Sequence, residues 1–234
     1  ERFINVGVAE ADMIGISAGL AVEGKVPFAA SFTPFASRRV YDQITISVAY
    51  AGLNVKIVGT APGITAGPNG GTHMCFQDLA IMRAMPNMTV LSRCDCYELA
   101  ACLRWMVAHD GPCYLQMIRM KQPQVFDDSY EFSGDRAVRL REGGDVTLVA
   151  TGYMTPFAVQ AADALAAEGV AVDLLHVPVV KPFDAATLVA SAGKTGRVVT
   201  VENQSIIGGL GGAVCEILSE QCPVPVKRLG VPDR

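Results

Sequence analysis

The stretch Asn54–Met74, NVKIVGTAPGITAGPNGGTHM, decides the fold. It opens on a near-continuous apolar run, Asn54–Thr60, which suits a strand covered on both faces in a parallel sheet. A glycine-rich loop, Ala61–Met74, follows directly, at the place where open α/β sheets carry ligand loops. On the upstream side, Val26–Phe32 (VPFAASF) is a short apolar strand, with Phe32 and Phe35 flanking Pro34. The segment SRRVYDQITISVAYAGL then reads as a helix, with Ser37 as N-cap and Val40, Ile44 and Ile46–Val48 on its buried face. On the downstream side, Gln77–Met85 is a helix stopped by Pro86, and MTVLSRC a strand. Cys96–His109 is a helix and GPCYLQMIRM another strand. Strand and helix alternate, as in a doubly wound parallel sheet.

Gln122–Gly144 breaks the rhythm with Pro123, Asp127, Asp128, Gly134, Gly143 and Gly144, and reads as a linker holding an edge strand at Ala137–Leu140. A second α/β unit follows: VTLVATG, the helix Pro156–Glu168, VAVDLLHV, the helix Asp184–Ala192, RVVTVEN, the glycine-led helix GGLGGAVCEILSEQ and VKRLGV. The prediction is an α/β chain of two doubly wound domains, each a mostly parallel sheet flanked by helices. Residues 1–123 form the first, 124–143 the linker and 144–234 the second.

The 234 residues are 50% hydrophobic and 18% charged, enough for a sizeable core and an extensive subunit interface. A net charge of −4, with no basic run, points away from nucleic acid. No apolar run is long enough to span a bilayer. The opening residues ERFINV have neither signal-peptide nor transit character. The abrupt start on the lead-in to a strand, and the stop at GVPDR, predict missing residues at both ends. The seven cysteines show no CxxC and no zinc spacing, which favours buried reduced thiols in the cytoplasm.

Most common chemical motifs are missing. GGLGGA at 208–213 lacks the dinucleotide spacing, and there is no GK[ST], GxSxG or HExxH, so no metal ligands are predicted in this chain. The glycines let a helix start close to a sheet. Glu10 sits where an apolar run, Phe3–Val8, meets a small-residue helix, Ala11–Ala21. A carboxylate there faces a helix N-terminus among apolar neighbours and needs a partner or a proton; backbone N–H groups are the ordinary way to satisfy it. His109 ends a helix and His176 packs in a strand. His73, behind Gly70, Gly71 and Thr72, is placed either to exchange protons with a ligand or simply to face solvent. Arg119, ending a strand, suits either an anion clamp or an ordinary salt bridge. Phe32 and Phe35 are core aromatics or the walls of a slot for a flat ligand.

Together these segments resemble the C-terminal half of transketolase: its pyrimidine-binding domain followed by its C-terminal domain. The motifs are NVGVAEADMIGISAGLA, SFTPFASRRVYDQI, APGITAGPNGGTHMCFQDLAIMR, GPCYLQMIRMKQP and VTLVATG…VKPFD…VVTVEN…GGLGG, in order through nearly the whole chain. The likeness is greatest to split transketolases, in which this half is a separate subunit. The resemblance implies thiamine diphosphate chemistry. Glu10 takes the place of the glutamate that hydrogen-bonds N1′ of the aminopyrimidine. Phe32 and Phe35 match the aromatics on which the pyrimidine stacks, and Arg38 falls near a tyrosine position of many relatives. His73 matches the substrate-channel histidine and Arg119 the arginine that grips an acceptor phosphate. Asn69 stands where many transketolases have an aspartate reading a substrate hydroxyl, and Pro68 replaces a common glutamate. The diphosphate–metal motif belongs to the other half.

The resemblance therefore implies an N-terminal partner subunit holding Mg2+ (or Ca2+) and the diphosphate, and self-association through the C-terminal half in a pair of heterodimers. The substrates it implies are sugar phosphates. Deoxyxylulose-phosphate synthase, suggested also by RVYDQ, and the beta subunit of 2-oxoacid dehydrogenases share the architecture. A non-catalytic structural or regulatory subunit is the third reading.

Overall fold

The apolar runs of the first half lie side by side. In the computed structural model, which describes residues 2–233, β1 (Phe28–Phe32), β2 (Lys56–Thr60), β3 (Thr89–Ser92) and β4 (Cys113–Met117) are parallel, in the order β1-β2-β4-β3. Helices α1 (Glu10–Val22), α3 (Tyr41–Ile44) and α4 (Asp78–Ala84) cover one face through Ile14, Ile44, Leu79 and Met82, while α2 (Thr33–Ala36) is a single turn after β1. Helix α5 (Cys96–Ala108) covers the other face through Met106, against Leu91 and Leu115. Burial on both faces explains why these strands read as continuous apolar runs.

The second half repeats the plan. Strands β6 (Val146–Ala150), β7 (Val172–His176), β9 (Val198–Ser205) and β10 (Val226–Val231) are parallel, and β5 (Val138–Arg141) closes one edge antiparallel to β7, giving the order β10-β9-β6-β7-β5. Helix α6 (Thr155–Ala167) packs on one face, and α7 (Ala185–Thr195) and α8 (Leu210–Gln221) on the other. The remaining strand, β8 (Val179–Lys181), leaves its own unit and pairs antiparallel with β3, so each sheet has five strands.

Further contacts join the units. His176 and Glu98, both fully buried, meet at 2.9 Å. His176 Nδ1 lies 2.7 Å from Thr155 Oγ1, and Glu98 also accepts from Tyr130 and from the Cys94 N–H. The Cys94 thiol lies close enough to Glu98 and His176 for the three to resemble a metal site. The carboxylate is already saturated by hydrogen bonds, so the cluster serves as an interdomain pin.

One predicted helix differs in form. SRRVYDQITISVAYAGL is preceded by α2, whose start is set by Pro34 at its first turn. Ser37 therefore does not cap a helix; its hydroxyl donates back to Thr33 O at 2.5 Å. A 3-10 turn over Arg38–Val40, then α3, then a π-helical stretch over Thr45–Tyr50 follow. The wider π turn rotates the side chains, leaving Ile46 at 58% exposure while Val40, Ile44 and Val48 stay buried.

Candidate active site

Three neighbouring parallel strands end at one level: Phe32 is opposite Thr60, and Thr60 opposite Met117. Whatever follows those residues gathers at the carboxyl edge of the sheet, the usual ligand crevice of α/β folds. Phe32 ends β1 and Phe35 follows it, the glycine loop follows β2 and Arg119 follows β4. The result is an aromatic cluster. Phe32 and Phe35 meet edge to face at 6.2 Å, and the His73 ring lies 5.1 Å from Phe32 and 5.2 Å from Phe35. The Arg119 guanidinium sits 5.4 Å from the Phe32 ring and joins no ion pair among the described residues.

The loop is tied at its neck by Gly63 N–H donating to Cys75 O at 2.9 Å, and folds inward through Thr65 Oγ1 on Pro62 O. His73 Nδ1 is engaged by Thr72 Oγ1 at 2.9 Å, which leaves Nε2 for a ligand. Asn69 is exposed on the loop and its side chain makes no hydrogen bond among the described residues. The loop contains no acidic residue.

Glu10 is the first residue of α1 and 9% exposed. The helix N-terminus favours its negative charge. Its partner is the Arg39 guanidinium, with Nη1 3.1 Å from Oε2. Arg39 also lies over the Phe35 ring, 3.9 Å from the centroid. Sequence reasoning singled out Arg38; that side chain is exposed beside Cys75. The signal for Arg39 was present, because a half-buried carboxylate demands a cation and the Arg38–Arg39 pair after β1 and α2 offers two.

Next to Glu10, a groove of ≈ 320 Å³ is lined by Phe3, Asn5, Met13, Ser17 and Ala30. The residues fit a flat, nitrogen-bearing heterocycle. Arg39 already places a planar N–H donor against Phe35 with one hydrogen on Glu10, and these are the two contacts such a ring requires. Among the described residues gathered here, the groups other than Glu10 are apolar, aromatic, hydroxyl, amide or cationic, which suits an anionic substrate and offers little to a metal ion.

The GGLGG segment has a different occupant. Glu202 is 2% exposed, and its oxygens accept from the N–H groups of Leu210 and Gly211, both at 2.8 Å. A Cβ on Gly209 would lie 2.0 Å from Glu202 Oε2. These glycines admit the protein's own carboxylate to the start of α8, so the turn is no phosphate cradle.

Comparisons with known proteins place the chain in a family. The transketolase pyrimidine-binding domain family matches residues 1–124, and the transketolase C-terminal domain family matches residues 135–234. A 6-deoxy-6-sulfo-D-fructose transketolase subunit of a Clostridium species is 55% identical over 232 residues, covering 99% of this chain and 72% of that protein. One of the subunits of the apulose-4-phosphate transketolase of Phocaeicola vulgatus is 37% identical over 233 residues, covering 99% of this chain and 74% of that one. A split-gene transketolase solved as an inactive β4 tetramer superposes with a TM-score of 0.93 at 43% identity, covering 99% of this chain and 75% of that chain. The chain belongs to the transketolase family and carries its pyrimidine-binding and C-terminal domains, as a subunit of a transferase complex.

Proposed function

We propose that the chain is the C-terminal subunit of a split, thiamine diphosphate-dependent transketolase that moves a two-carbon ketol unit between sugars ending in an anionic group. The observation that carries this reading is the cluster of Phe32, Phe35, His73 and Arg119 at the carboxyl edge of the sheet, joined to Glu10 through Arg39, which makes the contacts a flat ring would make. Bound there, thiamine diphosphate supplies the nucleophilic carbon that carries the ketol unit. Glu10 accepts a hydrogen bond at the pyrimidine N1′, holding a proton at that atom. Phe35 and Phe32 position the ring once the Arg39 guanidinium swings aside, and Arg38 stands at the outer wall. His73 Nε2 faces the sugar oxygens, Asn69 offers an uncharged hydrogen-bonding group, and Arg119 holds the terminal anion.

Among the described residues that line the groove, Glu10 is the one carboxylate, and it is already paired. The diphosphate and its Mg2+ (or Ca2+) accordingly fall to an N-terminal partner subunit, and this chain alone is catalytically silent. Self-association through the C-terminal half completes a heterotetramer. The terminal group is a phosphate or a sulfonate; the acid-free loop accommodates either, and the sulfosugar relative motivates testing the second. No helix among the described residues is long and apolar enough to cross a membrane, and the cysteines are all unpaired thiols, in keeping with a place in the cytoplasm.

Reconstitution tests the reading. The chain is mixed with an N-terminal transketolase subunit, thiamine diphosphate and Mg2+, and ketol transfer is measured from ketoses carrying a terminal phosphate or sulfonate. Activity in the mixture, and in neither chain alone, is expected. Pyruvate decarboxylation without ketol transfer, or no thiamine diphosphate binding by the assembled pair, would overturn it.

A further inference from the structure

The C-terminal domain fastens both ends of the loop that carries His73. Asn203 Nδ2 donates to Pro62 O at 3.1 Å, at the start of the loop. At its end, Ser205 N–H donates to Phe76 O at 2.9 Å. Between them, with its amide oriented as the surrounding acceptors require, the Gln204 nitrogen faces Cys75 O at 3.2 Å, Phe76 O at 3.0 Å and Asp78 Oδ1 at 2.8 Å. Its oxygen accepts from Gln116 Nε2 at 3.0 Å. Asn203 and Gln204 are 3% and 1% exposed, so no water replaces these bonds. The backbones touch here as well: a Cβ on Gly63 would lie 2.0 Å from Asn203 O.

The clamp rests on a rigid base. Asp78 is fully buried and accepts from Tyr114 Oη at 2.7 Å and Gln116 Nε2 at 2.6 Å, and Ser92 Oγ donates to Gln116 Oε1 at 2.7 Å. A side chain at position 204 faces a carboxylate and two carbonyls as acceptors and must also accept from an amide. A neutral carboxamide suits this, with two hydrogens shared among the three acceptors and an oxygen for the amide, while an apolar group removes all of these at once and leaves Cys75 O, Phe76 O, Asp78 and Gln116 with only their remaining bonds. Without the clamp the neck keeps the Gly63–Cys75 bond and the Ala61 N–H bond to Met117 O, and the arc beyond it rests on its own turns and on His73 packed against Phe32 and Phe35.

We propose that Asn203 and Gln204 are positioning residues: the C-terminal domain holds the loop neck so that the His73 imidazole faces the crevice beside Phe32 and Phe35. The effect on turnover rests on the transketolase reading above; the effect on the loop does not.

The test uses the chain assembled with its N-terminal partner and compares Gln204→Leu, Asn203→Ala and Gln204→Glu with wild type. Gln204→Leu is expected to speed amide hydrogen exchange in residues 62–76 by about tenfold or more, with α8 and β10 unchanged. The sugar KM is expected to rise by about tenfold while thiamine diphosphate affinity stays within about threefold. Gln204→Glu places a second carboxyl beside Asp78. It is expected to approach wild-type exchange at pH 5, where a shared proton restores a donor, and to free the loop at pH 8, where the two carboxylates repel. Unchanged exchange in 62–76 with Gln204→Leu would overturn the proposal, as would an equal rise across α8 and β10. If Gln204→Leu does not fold, Asn203→Ala, which deletes one bond, decides by the same contrast. A wild-type complex without ketol transfer would sink the proposed reaction, while the exchange data would still judge the clamp.

Discussion

Deleting one hydroxyl from the core, Tyr114→Phe, tests the buried acid beneath the site. Tyr114 is fully buried, and its Oη donates to Asp78 Oδ2 at 2.7 Å. The space is tight: a Cβ on Gly59 would lie 2.4 Å from that oxygen. Burial pushes the Asp78 carboxyl up to about 6, against the hydrogen bonds from Gln116 and Tyr114 that favour its ionised form. The folded state thus holds this proton more tightly than the unfolded chain, whose value is 3.8. Asp78 lowers stability progressively as pH rises from 3.8 to about 6, by about 3 kcal/mol in all, and by a constant amount above that. A hydrogen bond to a charged acceptor contributes about 1.5–3 kcal/mol and one to a neutral acceptor about 1 kcal/mol. Tyr114→Phe is therefore expected to destabilise the chain by about 2–3 kcal/mol at pH 8 and by about 1 kcal/mol at pH 5. Urea unfolding followed by far-UV circular dichroism at the two pH values measures both. A loss equal at both, or larger at pH 5, would refute the reasoning.

Other consequences follow from the same contacts. Gly63 has a φ of +57° and faces Asn203 O, so Gly63→Ala is expected to destabilise the chain by at least about 2 kcal/mol in urea unfolding; wild-type stability would show that the domains do not meet there. Burial pushes the Glu98 carboxyl up, but His176, the Cys94 N–H and Tyr130 outweigh it and hold it below the ordinary carboxylate value. Its stabilisation is present above pH 4.5 and lost as pH falls through its lower folded value. Glu98→Gln is thus expected to lower stability by about 3–5 kcal/mol at pH 7 and to flatten the acid limb of the stability curve; an unaltered acid limb would argue against the pin. Cys96 is exposed, whereas Cys75, Cys94, Cys102 and Cys113 are buried, and burial pushes the Cys75 thiol up to about 11. An aromatic disulfide reagent is expected to meet Cys96 first in the isolated native chain, the half-buried Cys215 and Cys222 reacting more slowly, and an unchanged fastest phase in Cys96→Ser would contradict that assignment.

The parallel sheets were legible because strands buried on both faces must be apolar throughout, and the glycine loop because it follows such a strand. Phe32, His73 and Arg119 could be placed together once the strands were, since Phe32 ends a strand and His73 and Arg119 lie on segments that follow one. What escaped depends on contacts distant in sequence. β8 is three residues long and pairs with a strand from the other unit, so no local pattern marks it. The π turn at Thr45–Tyr50 preserves an amphipathic look while rotating Ile46 outward. Asn203 and Gln204 read as polar residues at the end of an unremarkable strand, and only the fold shows that they meet the loop of the first domain. For that reason the C-terminal domain read from sequence as assembly surface alone. Arg39 was hidden by its neighbour: two adjacent arginines differ only in which one the backbone turns toward Glu10.

The account stands or falls on the carboxylate at position 10. With the chain assembled with its partner, thiamine diphosphate and Mg2+, Glu10→Gln keeps the shape of the side chain but removes its charge. The account predicts that the cofactor still binds and that ketol transfer falls by about a hundredfold or more. A mutant complex that turns over like wild type would contradict it.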